Sequence, residues 1–140
     1  MSPKMVVLEK AARPPWRLRP PALAAVAVAW FLARCRPHRL RRALEFASRG
    51  ARPATESEAA RARSAIVGMG VRYAGPRCLE RSIATALMCR AGGSWPDWCT
   101  GVSTHPFEAH AWVEAEGTAV GEDPAEIPHF HITMKVSVQP

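Results

Sequence analysis

Cys78, His110 and the acidic pair Glu122 and Asp123 are residues whose types and spacing can do chemistry together. A cysteine attacks as its thiolate. A thiol ionises more readily at a helix N-terminus, where unpaired backbone N–H groups and the helix dipole favour negative charge. Cys78 stands there: it follows a Gly75-Pro76 break, and Leu79, Ile83, Ala86 and Leu87 recur behind it on one helical face. The same N–H groups suit the oxyanion of a tetrahedral intermediate. A thiolate also needs a base. His110 lies 32 residues downstream, in the middle of an alternating segment, Phe107 to Ala115. The base in turn needs a carboxylate to orient it. Glu122 and Asp123 follow a hairpin turn at Glu116-Gly117, so the return strand can bring one of them beside His110. The plainer reading of the same residues is a buried structural cysteine, a surface histidine and solvated loop acids.

Other residues compete for roles. Cys89 lies three helical turns beyond Cys78, ~16 Å along the axis, so the two cannot be bridged within one helix. Cys89 reads as core. Cys99, between Trp98 and Gly101, either lines the site or packs in the core, and Cys35 carries no assignment. No cysteine pair has C-x-x-C spacing, which argues against a zinc ribbon or a thioredoxin-type motif. His129 and His131 form an H-x-H pair that a metal could use with Cys99 or His105, but nothing fixes further ligands. Trp112 shares its strand face with His110 and is a candidate substrate-groove residue. Trp95 and Trp98 read as core.

The elements that must position these residues are legible in outline. A proline-broken arm opens the chain, with a short strand expected at Val6–Leu8. Helices are expected at Ala22–Arg34 and His38–Ser48, separated by Pro37. Thr55 followed by Glu58 is a capping-box pattern, and its helix should run towards Val71. The Cys78 helix should reach about Arg90, where Ala91-Gly92-Gly93 ends it. Then the period changes from helix to strand. Strands are expected at Thr100–Ser103, Phe107–Ala115, Thr118–Val120 and His129–Val138. Ala109, Ala111, Val113 and Ala115 take one face of the central strand; Glu108, His110, Trp112 and Glu114 take the other. Helices first and strands afterwards imply an α+β fold. The sequence divides into a basic helical region, residues 1–54, and a catalytic domain, residues 55–140.

Composition bounds the rest. The 140 residues, 48% hydrophobic and 22% charged, suit one globular domain and exclude a disordered chain. Residues 1–70 hold 14 basic and 4 acidic side chains, a balance of +10, against −3 for the remainder. Such an arm meets something acidic. Three partners fit: nucleic acid, an anionic membrane surface touched by the Ala22–Leu44 region, or a protein and peptide. No DNA- or RNA-binding motif is present. The apolar run Ala22–Ala33 is short for a bilayer span and is followed by arginines rather than a cleavage site. A cytoplasmic protein with free thiols is therefore expected.

Several motifs occur in register. They are Cys78-Leu79-x-Arg81-Ser82, Trp95-x-x-Trp98-Cys99-x-Gly101-Val102, Pro106-Phe107, Ala109-His110-Ala111-Trp112-Val113-Glu114 and Gly121-Glu122. Over about residues 70–138 the chain resembles the leader peptidase of lasso-peptide biosynthesis, a stand-alone transglutaminase-like cysteine protease. Helix cysteine, strand histidine and next-strand acid is also the order of papain-like folds. The resemblance implies a nucleophile at Cys78, a base at His110 and an acid at Glu122, where many relatives carry Asp; Asp123 remains the alternative. It implies no metal or other cofactor, and a preference for threonine next to last in the leader. It also implies partners for the basic arm: the precursor leader and a small leader-recognition protein, here a separate chain because the arm lacks the strand-rich pattern that a recognition domain needs. An ATP-dependent lasso cyclase would take the product. Nucleic acid is not expected as a partner, and membrane contact is the less favoured reading. Two other functions fit the same residues: an acyltransferase or transglutaminase using the Cys–His pair, and a non-catalytic basic scaffold for the precursor peptide.

Overall fold

Prolines and one capping box set the helix starts. The computed structural model describes residues 12–70 and 77–140, so the expected strand at Val6–Leu8 and the Gly75-Pro76 break lie outside the described residues. After a 3-10 turn at Trp16–Leu18, α1 spans Arg19–Leu32. It starts three residues before the expected Ala22. Proline is tolerated in a first turn, whose N–H groups have no helical acceptor, so Pro20 and Pro21 fit inside the helix. Pro37 likewise opens α2, Pro37–Ser48. Thr55 caps α3, Glu56–Val67: its hydroxyl accepts the Glu58 N–H at 3.2 Å, and the Glu58 carboxylate accepts the Thr55 N–H at 3.2 Å. Glu58 also takes Arg52 in a two-pronged pair at 2.7 Å, and that bond first, then Thr55, holds its carboxyl down to about 2. α3 stops at Val67, short of the expected Val71, with Gly68 as its C-cap. α4 spans Cys78–Ala91 and ends at Gly92.

The strands form one short pair and one sheet. β1, Arg52–Pro53, pairs in parallel with β2, Ser94–Trp95. The antiparallel sheet holds β3 (Asp97–Thr104), β4 (Phe107–Ala115), β5 (Thr118–Ala119) and β6 (His131–Val136) in the order β5-β4-β3-β6. Glu116 and Gly117 turn β4 into β5 with φ of 53° and 77°, both positive as a two-residue hairpin turn needs. β3 is longer than expected because Trp98 and Cys99 pair with Val113 and Trp112. β5 is shorter: beyond Ala119 only the Val120 N–H still reaches β4, at the Val113 carbonyl. β6 loses His129 to a 3-10 turn at Ile127–His129 and ends at Val136.

The architecture is the expected α+β arrangement, with helices packed against a small antiparallel sheet. α1 lies along α4 through Ala22, Ala25 and Ala29, whose small side chains are buried and let the helices approach closely. Trp95, Trp98, Leu44, Ile66, Ile83 and Val136 fill the centre. The two indoles bury their N–H groups with partners: Trp95 donates to the Val136 carbonyl at 3.1 Å and Trp98 to the Ser82 hydroxyl at 3.0 Å. One buried cluster takes residues from both sides of residue 54. Leu23 and Phe31 of α1 and Phe46 of α2 face solvent. Among the described residues, no helix is long and apolar enough to cross a membrane.

Candidate active site

Cys78 is the first residue of α4, and the N-cap before it, Arg77, makes no side-chain capping bond. The N–H groups of that first turn therefore have no side-chain acceptor at the cap. Glu80, in the same turn, is 7% exposed and accepts from Arg77 at 3.2 Å and from Arg34, just past α1, at 3.4 Å. These bonds tie the start of α4 to the end of α1.

β4 supplies what faces the thiol. β5 pairs only with Glu114 and Ala115, so the edge of β4 near Ala111 is left to α4. The His110 ring and the Ala111 N–H are the groups that act on the Cys78 thiol and favour its ionised form. Burial pushes that thiol up. The His110 bond, the Ala111 N–H and the positive charges of His110 and Arg81 outweigh it, so the thiol ionises below its ordinary range. His110 shows the complement. Burial pulls it down, but its hydrogen bonds to Cys78 and Glu122 and their negative charges raise it to about 9. Together these favour a thiolate–imidazolium pair.

Glu122 and Asp123 separate in the structure. Glu122 Oε2 lies 2.9 Å from His110 Nε2. That leaves Nδ1 as the ring nitrogen available to Cys78. Asp123 instead accepts the Ala125 N–H through Oδ1 at 2.9 Å and caps the following turn. The separation comes from Gly121. Its φ of +71° bends the chain out of β5, and a Cβ there would stand 2.5 Å from the Arg63 guanidinium carbon. Arg63, buried on α3, thus lies directly beneath the turn that aims Glu122.

Two expected groove residues are buried. Trp112 is 2% exposed and stacks on His110, with ring centroids 5.7 Å apart. Cys99 is fully buried, and its thiol donates to Glu114 Oε2 at 3.3 Å; burial and then the Glu114 charge push its ionisation up. Cys89 is pushed up to about 12 by burial, in keeping with a core position. All four cysteines are free. His105 and His129 line a cleft of about 690 Å³ with Glu108, Asp123, Glu126 and Phe130. Phe130 is the wall this cleft shares with His110, its ring centroid 5.5 Å from the imidazole. Among the described residues, no three His, Cys, Asp or Glu side chains are grouped to hold a metal ion.

Three contributors had no role in the sequence reading. Arg81 falls in the quoted motif, one helical turn from Cys78, and that spacing was the available signal. Glu114 falls on the His110 face of β4 by strand alternation. Phe130 lies between a 3-10 turn and β6, and the alternation expected over His129–Val138 does not tell that it meets His110.

The model of the transglutaminase-like superfamily matches residues 22–135. The chain belongs to that superfamily, which includes cysteine-dependent enzymes. The match takes in most of α1, all of α2 and the cysteine helix, and nearly all of the sheet. No curated protein and no solved structure shows significant similarity to the chain.

Proposed function

We propose that this chain is a cytoplasmic cysteine endopeptidase that removes the leader from a lasso-peptide precursor. The observation that carries the catalytic part is the single line of contacts from Cys78 through His110 to Glu122, closed by a 2.9 Å bond at Nε2. The precursor, the separate leader-recognition protein and the cyclase downstream come from the motif resemblance described above. The basic arm is the surface offered to the leader and its recognition protein.

The proposed chemistry uses these residues in turn. The Cys78 thiolate attacks the carbonyl at the leader–core junction, and the N–H groups of the first turn of α4 face the resulting oxyanion. His110, protonated and held by Glu122, gives its proton to the leaving amine of the core peptide. The leader is left as a thioester on Cys78. His110 then takes a proton from water, which attacks the thioester and releases the leader carboxylate. The cleft lined by His105, His129 and Phe130 is the side from which we expect the precursor to enter, because Phe130 also packs on His110.

The test is to incubate the protein with the precursor and the recognition protein and to weigh the products. Hydrolysis gives two fragments whose masses sum to the precursor plus one water, with ¹⁸O from labelled water in the leader carboxylate. A leader carrying the mass of an added amine would instead identify a transferase. A precursor left intact by the folded protein would overturn the peptidase reading and favour a scaffold.

A further inference from the structure

His110, Trp112 and Glu114 stand at two-residue intervals on one face of β4. Their side chains touch in series. The imidazole and indole planes are 20° apart. The indole Nε1–H donates to Glu114 Oε2 at 3.4 Å, and the same oxygen accepts the Cys99 thiol at 3.3 Å. Phe130 closes the remaining side, 6.0 Å from the indole centroid. Across the ladder, Gly101 pairs with His110, and a Cβ there would stand 2.9 Å from Trp112 Cη2. The indole is thus fixed at one edge by a carboxylate, at the other by a missing side chain, with its face towards the imidazole. Filling the space would need only a ring; the polar anchor on Glu114 sets the ring's rotation.

We propose that Trp112, anchored by Glu114, is a positioning residue that holds the His110 ring towards Cys78 and supports its positive charge. The inference rests on reading Cys78 and His110 as a thiolate–imidazolium pair. The face of an indole carries a negative quadrupole and attracts a cation within about 6 Å of its centroid. The 5.7 Å stack meets that condition. The other charged or titratable groups towards the pair are Cys78 and Arg81 from α4, Glu122 from the turn after β5, and Glu108 two residues before His110 on β4. β3 presents only Gly101 opposite His110.

The test is an NMR titration of the His110 side chain in the whole protein with labelled histidine, assigned by comparison with His110→Gln. It needs no substrate, so its failure is distinct from failure of the peptidase reading, which the cleavage assay decides. Wild-type His110 is expected to titrate near 9. Trp112→Leu and Glu114→Leu should lower that midpoint by about half to one unit, because the imidazolium loses its aromatic face or the anchor that presents it. Glu114→Gln should keep most of the wild-type value, since its amide oxygen still accepts the indole N–H; this separates anchoring from the charge of Glu114. Cys99→Ala, which shares Glu114 but does not touch His110, should leave the midpoint in place. Folded Trp112→Leu and Glu114→Leu proteins within about 0.2 unit of wild type would overturn the proposal and leave packing as the role of the ring. If Trp112→Leu fails to fold, Glu114→Leu against Glu114→Gln decides: equal midpoints overturn it.

Discussion

At the scale of single residues, two protons decide the chemistry. His110 is raised to about 9 and Cys78 is lowered. In the proposed mechanism the reactive form has Cys78 ionised and His110 protonated, so it exists between those two limits. kcat/KM is predicted to fall as pH rises through about 9, where His110 loses the proton it gives to the leaving amine. It should fall again in acid, as the thiolate is protonated. Stability carries the same sign on the alkaline side. A folded value above the ordinary 6.5 stabilises the fold fully below 6.5, and that contribution is lost as pH rises through about 9. Thermal melts across that range check it. The two acids should also part company. Glu122→Gln removes the charged partner of Nε2 and should lower kcat by at least about 10²-fold, whereas Asp123→Asn touches only a turn and should change it little. Steady-state kinetics of both variants gives the answer. Cysteine, histidine and an acid were legible because chemistry restricts their types. The choice between adjacent acids was not, because it depends on a bend after β5 that period-two alternation cannot contain.

Elements aim these residues, and their strength comes from local chemistry. The Thr55–Glu58 capping box and the alternation of β4 were readable because each is fixed by neighbours within a few positions. The ends of β3 and β6 were not, since they depend on partners well along the chain, Trp98 on Val113 and His131 on Val102; nor was the end of β5, which the positive-φ bend at Gly121 cuts short. Two substitutions separate an element that aims the site from one that only supports the fold. Gly121→Ala forces a side chain onto Arg63 at positive φ, and should swing Glu122 away. It should cost activity together with about 1–3 kcal/mol of stability. Thr55→Ala removes a helix cap remote from Cys78 and should cost about 1 kcal/mol with activity retained. Denaturant melts beside kinetics on both proteins test the contrast.

At the scale of the whole molecule, the basic arm and the half that carries Cys78 share a core. Ala22, Ala25, Ala29, Leu40 and Leu44 are buried in one cluster with Ile83, Trp95 and Trp98. The charge asymmetry along the chain was visible in the sequence and suggested two regions. The shared core was not visible, because alanines spaced along α1 reveal a buried face only once α4 lies on it. A chain beginning at residue 55 is therefore predicted to lose cooperative unfolding, which near-ultraviolet circular dichroism on heating would show. The central claim is that Cys78 cleaves the leader from its precursor. It is tested most directly by following the intact mass of that precursor with wild-type protein and with Cys78→Ala, each with and without the recognition protein. The account predicts cleavage at one bond by wild type, and none by a folded Cys78→Ala. Cleavage undiminished in Cys78→Ala, or an untouched precursor in every wild-type reaction, would contradict it.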